Sequence, residues 1–89
     1  MKDIAENDYH LWQAFQQGDR KSFSKIYHRY FNNLYEYGTR ITDDRNIVKD
    51  CIHDLFIKLW ANKQNLGNVA NIKSYLIVSL RGTIYNQIK

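Results

Sequence analysis

Three side chains that can bind a metal or transfer protons lie close together in the sequence, at Asp50, His53 and Asp54. Their spacing of i, i+3 and i+4 puts them on one face of a helix, if the segment is helical. Without further ligands they are a weak metal site, and His10 and His28 are too scattered to complete it. No glycine-rich phosphate loop is present. We therefore expect a binding surface and not an enzyme, with no metal and no cofactor.

Cys51 is the one residue with a thiol that could act as a nucleophile. It falls on a predicted apolar helix stripe, which favours a core thiol over a catalytic one. A single cysteine can form no intramolecular disulfide. The polar N-terminus lacks the apolar stretch of a signal peptide. The longest apolar run, residues 75–78, is far too short to span a bilayer. These features predict a protein of the cytoplasm that does not enter the membrane.

Apolar spacing predicts an all-α domain over residues 8–89, preceded by a tail over residues 1–7. The chain contains no proline, and apolar side chains recur at steps of three and four. The predicted helices cover residues 8–17, 20–41, 45–61 and 72–89, with a polar loop over 62–71. Gly18 with Asp19, and the segment from Thr42 to Asp44, match the residues that end and cap helices. The third helix has the most regular apolar stripe, at Ile47, Val48, Cys51, Ile52, Leu55, Phe56, Leu59 and Trp60.

The outer face of the third helix also contains an aliphatic residue. Ile57 lies one turn beyond His53 and Asp54, off the apolar stripe and next to Lys58. A hydrophobic side chain surrounded by charges is common where a protein contacts a partner helix. A solvated face with one stray isoleucine would show the same pattern, because single exposed hydrophobic residues are normal.

The positive charge is concentrated at the end of the chain. The formal net charge is +4, while residues 1–60 hold nine basic and nine acidic side chains. The excess comes from Lys63, Lys73, Arg81 and Lys89. On the fourth helix, one row at steps of four contains Lys73, Ile77, Arg81, Tyr85 and Lys89, beside an apolar row of Ile72, Leu76, Leu80, Ile84 and Ile88. Cations with a tyrosine, behind an amide-rich loop, suit single-stranded nucleic acid. An ordinary amphipathic helix with a basic outer face is the alternative.

Three segments together resemble a known family. Residues 50–60, DCIHDLFIKLW, are similar to the polymerase-docking helix of extracytoplasmic-function sigma factors of the sigma-70 family. The usual form of that helix is D-x-x-Q-[DE]-x-F-x-x-x-W, from which only His53 departs. The segment that starts at Gly18-Asp19 resembles the family's opening, and Tyr75-Leu76 with Arg81 fits the start of its last helix. The resemblance covers about residues 10–89, which correspond to region 2 of these proteins.

The resemblance implies a small bundle of three long helices and a shorter first one, with two binding surfaces. The third helix would dock on a coiled coil of the RNA polymerase β′ subunit through Asp50, His53 and Asp54, flanked by Ile57 and Lys58. The loop and fourth helix would bind the non-template strand of the promoter −10 element, with one base flipped out. The implied DNA-binding residues are Asn65, Asn68, Asn71, Lys73, Ser74, Arg81 and Tyr85. An anti-sigma factor is a further partner that the family allows.

The chain departs from the family at one position and in length. Gly82 stands where the family has an asparagine, so an amide that would meet the promoter strand is missing. The family's second domain, region 4 with its helix-turn-helix, is absent from the chain, which indicates an N-terminal fragment. Two alternatives remain open from the residues. One is a helical protein-interaction module without DNA binding, and the other is an enzyme fragment that holds a metal at Asp50, His53 and Asp54.

Overall fold

The computed structural model describes residues 7–88, which form four α-helices and a short 3₁₀ turn, with no strand among them. The elements are α1 (Asp8–Gln16), α2 (Arg20–Ile41), α3 (Arg45–Ala61), the 3₁₀ turn (Lys63–Asn65) and α4 (Ile72–Ile88). The predicted all-α fold is confirmed. Except for Asn7, the predicted tail lies outside the described residues, as does Lys89. No helix of residues 7–88 is long and apolar enough to cross a membrane.

Each of the four helices begins at a polar capping residue. The carboxylate or amide oxygen of this residue accepts a hydrogen bond from a backbone N–H of the first turn, which has no partner inside the helix. The four caps are Asn7, Asp19, Asp44 and Asn71. Gly18 ends the first helix with a φ of 96°, a conformation that glycine adopts without steric cost. The predicted helix boundaries at Gly18-Asp19 and at Asp44 are therefore confirmed.

The segment between α3 and α4 contains more structure than the predicted loop. The backbone N–H of Asn65 donates to the carbonyl of Asn62 at 2.9 Å, which closes the 3₁₀ turn. Such a turn needs only one i to i+3 hydrogen bond, so no apolar periodicity marks it in the sequence. The predicted polar loop over residues 62–71 therefore contains a 3₁₀ turn at residues 63–65 that the sequence did not predict.

The core lies where α2, α3 and α4 meet. Val48 and Ile84 are completely buried, and both pack against Gly38. A Cβ atom on Gly38 would lie 2.6 Å from Cγ1 of Val48 and 3.3 Å from Cδ1 of Ile84. Because real Cβ atoms cannot approach a methyl group so closely, glycine at this position allows the three helices to pack together.

The short α1 closes one side of the core. Side chains of α1 stack on α2 and form hydrogen bonds with it. Phe15 is fully buried and stacks on Phe23, with ring centroids 5.4 Å apart. Asp8 accepts hydrogen bonds from Arg29, at 2.8 Å, and from the hydroxyl of Tyr30. Burial, together with this hydrogen bond to Asp8, raises the pKa of Tyr30 to about 12.

The outer side of α4 differs from the predicted rows. Ile72, Leu76, Leu80 and Ile84 are buried as expected, but Ile88 is 41% exposed. In the predicted basic row Ile77 is half-buried, while its neighbour Val78 is 66% exposed. Residues four apart are offset by about 40° around a helix, so a long row at steps of four turns away from the face on which it began. The predicted apolar row was therefore wrong at Ile88, where it reaches the exposed side of the helix.

Candidate functional site

The acidic face of α3 consists of Asp50, His53 and Asp54, and all three side chains are exposed. Ile57 continues this face and is 66% exposed. The opposite side of α3 supplies six buried core residues, so the orientation of the helix is determined by its apolar stripe. The structure therefore brings together four of the five residues predicted for polymerase docking on one outward surface.

An apolar groove of about 600 Å³ lies beside the acidic face, between α2 and α3. Its walls are mainly aromatic and are formed by Arg20, Phe23, Tyr27, His53, Phe56, Ile57 and Trp60. His53 and Ile57 thus belong both to the acidic face and to the groove. A partner that contacts the acidic face can also bury an apolar side chain in the groove, as the centres of protein interfaces do.

The ring of Trp60 at this groove lies close to two cations. Nζ of Lys63 is 4.0 Å from the ring centroid and donates to the Trp60 carbonyl at 3.3 Å. The guanidinium carbon of Arg20 is 5.7 Å from the same centroid. Both distances are typical of cation–π interactions, which hold an aromatic side chain in place at a partly exposed site.

The fifth residue predicted for docking, Lys58, is exposed but does not line this groove. It lines a smaller depression of about 190 Å³, together with Asn62 and Tyr75 among others. Tyr75 belongs to α4, so this depression lies on the α4 side of α3. Lys58 is therefore separated from the groove that His53 and Ile57 share.

Cys51 is buried in the core, and burial together with the carboxylates of Asp54 and Asp50 raises the pKa of its thiol. A raised pKa keeps the thiol protonated, the form that is a poor nucleophile. Within the described part of the chain, no group of three or more His, Cys, Asp or Glu side chains could hold a metal ion. The alternative of a metal enzyme built on Asp50, His53 and Asp54 has no support in this geometry.

The loop before α4 is attached to α1 by three side-chain hydrogen bonds. Nε1 of Trp12 donates to the carbonyl of Gly67 at 3.1 Å. Nε2 of Gln16 donates to the carbonyl of Lys63 at 3.2 Å and also to the carbonyl of Leu66. These bonds hold the loop against the first helix.

A cavity of about 570 Å³ opens between this loop, α1 and α2. It is lined by Asp8, Tyr9, Tyr30, Asn68, Val69, Ala70, Asn71, Ile72 and Lys73. Three of the residues predicted to bind DNA, Asn68, Asn71 and Lys73, therefore share one cavity. Asn71 uses its amide oxygen to cap α4, with a distance of 2.9 Å to the N–H of Ser74, which leaves its NH₂ group as the donor for a ligand.

The other predicted DNA-binding residues do not line this cavity. Arg81 and Tyr85 are exposed on α4, where the guanidinium carbon of Arg81 lies 5.9 Å from the centroid of the Tyr85 ring. Asn65 and Ser74 are exposed as well. Next to Arg81, Gly82 has no atom within 4 Å of the position that a Cβ would occupy. The outer face of α4 is thus open at Gly82, where the resemblance implies an asparagine.

Two groups of lining residues were missed by the sequence reasoning. Tyr9 and Asp8 were assigned only to the first helix, although both line the cavity beside the loop. Phe23, Tyr27 and Trp60 were assigned to apolar stripes, but they are half-buried and line the groove. Periodicity identifies the inward side of a helix but does not show which aromatic side chains remain at the edge of the core. The only sequence signal was the unusually high number of tyrosines, seven in 89 residues.

A comparison with protein-family models finds a match over most of the chain. The model described as Sigma-70 region 2 matches residues 26–89, which is well over half of the chain. The match includes α3, the loop, α4 and most of α2. Comparisons with curated proteins and with solved structures give no match.

Proposed function

The chain belongs to the sigma-70 region 2 family, whose domains bind RNA polymerase and recognise promoter DNA in transcription initiation, and we propose a specific division of these two roles within it. In this proposal α3 docks on the coiled coil of the polymerase β′ subunit. The loop and α4 hold the non-template strand of the −10 element. We further propose that the chain is the region 2 module of an extracytoplasmic-function sigma factor, acting in the bacterial cytoplasm.

The observation that carries the proposal is the separation of two exposed surfaces of different chemistry. Asp50 and Asp54 form an acidic surface on α3, next to an apolar groove. The loop and α4 expose the cations Lys73 and Arg81, and neither element contains an acidic side chain. An acidic surface suits a basic protein partner, whereas exposed cations suit the phosphates of DNA. One chain can therefore hold both partners at the same time.

For docking, the acidic face and the groove act together. Asp50 and Asp54 attract basic residues of the coiled coil and determine its orientation. Ile57 and the aromatic groove behind it take up an apolar side chain of the same partner, which supplies most of the buried area. An anti-sigma factor that covered this surface would compete directly with polymerase.

For promoter binding, the cavity at the loop accepts the base that leaves the strand. Extracting a base costs a few kcal/mol in lost stacking and pairing. The amides of Asn68 and Asn71 can meet the edges of the base, while Lys73 meets a neighbouring phosphate. Arg81 and Tyr85 extend the contact along α4. Single-stranded DNA binds more favourably than duplex at such a site, because a base of a closed duplex cannot enter the cavity.

The test measures two affinities with labelled DNA and core RNA polymerase. With polymerase present, the chain should bind a DNA that carries a preformed bubble with higher affinity than the closed duplex of the same sequence. Asp54→Lys should weaken binding to polymerase at least tenfold, since it replaces attraction by repulsion. Glu36→Lys makes the same change of charge at an exposed position of α2 and serves as the matched control.

Two outcomes would contradict the proposal. If Asp54→Lys and Asp50→Lys both fold and bind polymerase like Glu36→Lys, α3 is not the docking surface. If duplex binds as well as the bubble, the basic part of the chain does not act on opened DNA. A helical protein-interaction module without DNA binding would then be the better description.

A further inference from the structure

Tyr9 is an exposed aromatic side chain that is nevertheless held in one place. Its side chain is 58% exposed at the first turn of α1. The amide Nε2 of Gln13, one turn further along, donates to the Tyr9 hydroxyl at 2.9 Å. The ring of His10 contacts the Tyr9 ring edge-on, with centroids 5.6 Å apart. An aromatic ring that is fixed before a ligand arrives loses little conformational entropy on binding.

The cavity beside Tyr9 combines the groups that a nucleotide needs. Tyr9 supplies the aromatic plane on the α1 side, while Asn68 and Asn71 supply amides and Lys73 a cation on the loop side. The volume of about 570 Å³ lies within the usual range for small-ligand sites. A stacked base with its phosphate at the rim would use all three kinds of group.

The α1 wall of the cavity is also fixed relative to α2. Asp8, next to Tyr9, accepts hydrogen bonds from Arg29 and Tyr30 of α2. By contrast, Tyr85 on α4 lies outside the cavity and is accompanied by the Arg81 guanidinium. Of the two exposed tyrosines, Tyr9 is therefore the one placed to stack on a base inside the cavity.

We propose that Tyr9 stacks on the base extruded from the promoter strand, so that α1 forms part of the DNA site. This inference rests on the proposed function, since it assigns a new residue to the same cavity. Stacking reads no particular base, because every base has an aromatic face. Tyr9 therefore adds affinity for an unpaired base, and the loop amides and Lys73 orient it.

The experiment uses two fluorescent 20-mers, one of thymidine and one of abasic tetrahydrofuran nucleotides, which carry the same phosphates without bases. A homopolymer offers a base to the cavity in every register, so the promoter sequence need not be known. Binding to the 89-residue chain is measured by anisotropy at low salt. Tyr9→Ala should weaken binding of the thymidine 20-mer about tenfold, the loss expected for one stacked base, and leave the abasic 20-mer unchanged. Tyr9→Phe keeps the ring but loses the hydrogen bond from Gln13, so it should bind the thymidine 20-mer less tightly than wild type but more tightly than Tyr9→Ala.

The possible results separate this inference from the proposed function. If wild type prefers the thymidine 20-mer to the abasic one but Tyr9→Ala binds both like wild type, the Tyr9 assignment is wrong and the proposed function stands. If Tyr9→Ala weakens both 20-mers equally, Tyr9 acts through the structure of the loop and not by stacking. If wild type binds closed duplex as well as the thymidine 20-mer, the proposed function fails and the inference fails with it.

Discussion

The indole nitrogen of Trp12 and the carbonyl oxygen of Gly67, 55 residues apart in the sequence, form a hydrogen bond of 3.1 Å. Trp12 is buried, with only 2% of its surface exposed. The same side chain therefore packs in the core and donates a hydrogen bond to the loop. The position of the loop relative to α1 therefore depends on how the core is packed, and the cavity between the loop, α1 and α2 depends on it as well.

Replacing Trp12 should test this dependence. Trp12→Phe keeps an aromatic ring in the core but removes the donor to Gly67, and we expect the free energy of unfolding to fall by about 1–3 kcal/mol. Amide hydrogen exchange in residues 66–69 should increase more than in α3. Trp60→Phe alters a half-buried indole at the groove and should leave exchange in the loop unchanged. Equal loop exchange in the two variants would show that the hydrogen bond does not hold the loop.

The core prediction compares two neighbouring residues of α3. Phe56 is 3% exposed and Ile57 is 66% exposed. Phe56→Ala should lower the free energy of unfolding by about 3–5 kcal/mol, through lost burial and the cavity that remains. Ile57→Ala should change it by no more than about 0.5 kcal/mol. Urea denaturation followed by circular dichroism measures both, and similar midpoints for the two variants would contradict the buried position of Phe56.

Arg81 should contribute to DNA binding through charge. Arg81→Ala should weaken binding of single-stranded DNA across sequences, and the plot of log affinity against log salt should become less steep by about 0.7–1. The salt titration should be repeated with Arg40→Ala, which removes an exposed cation from α2. If the slope is unchanged for Arg81→Ala, or changes equally for Arg40→Ala, Arg81 does not contact the DNA phosphates.

Tyr85 should contribute through its ring and not through charge. Tyr85→Ala should cost about 1–3 kcal/mol of binding free energy for single-stranded DNA, with little change in the salt slope. Because the Arg81 guanidinium lies over the Tyr85 ring, the losses in the double variant should not be additive. Additive losses would indicate that the two residues bind the strand independently of each other.

Tyr30 should make folding stability depend on pH in the alkaline range. Its pKa is about 12 in the folded chain, against an ordinary value of about 10. The unfolded chain therefore releases this proton first as the pH rises, so the contribution of Tyr30 is complete below about pH 10 and is lost as the pH rises towards 12. Tyr30→Phe should be less stable at pH 8, and the difference from wild type should shrink with rising pH. A constant difference from pH 8 to pH 12 would contradict the shifted pKa.

The sequence predicted the helices well because their signals are local. Gly18 with Asp19 and the cap at Asp44 set boundaries, and the apolar stripe of α3 fixes its orientation. The outward position of Asp50, His53 and Asp54 could be predicted, because the apolar stripe of the same helix shows which side is buried. The cavity could not be predicted, because it forms where Tyr9 of α1 meets the loop, about 60 residues later in the chain. Contacts between distant segments depend on how the helices pack against each other. They cannot be predicted from the spacing of residues within one helix.

The hydrogen bonds from α1 to the loop also bear on where this protein can be shortened. The segment that matches the family model begins at residue 26, after α1. A chain cut to that segment would leave the loop carbonyls of Lys63, Leu66 and Gly67 without their donors from α1. It would also remove Phe15 and Phe23, whose ring centroids lie 6.2 and 5.0 Å from that of Trp60, exposing an aromatic patch that favours aggregation. We therefore expect the smallest piece that folds cooperatively to include α1, and so to be longer than the piece that sequence similarity delimits.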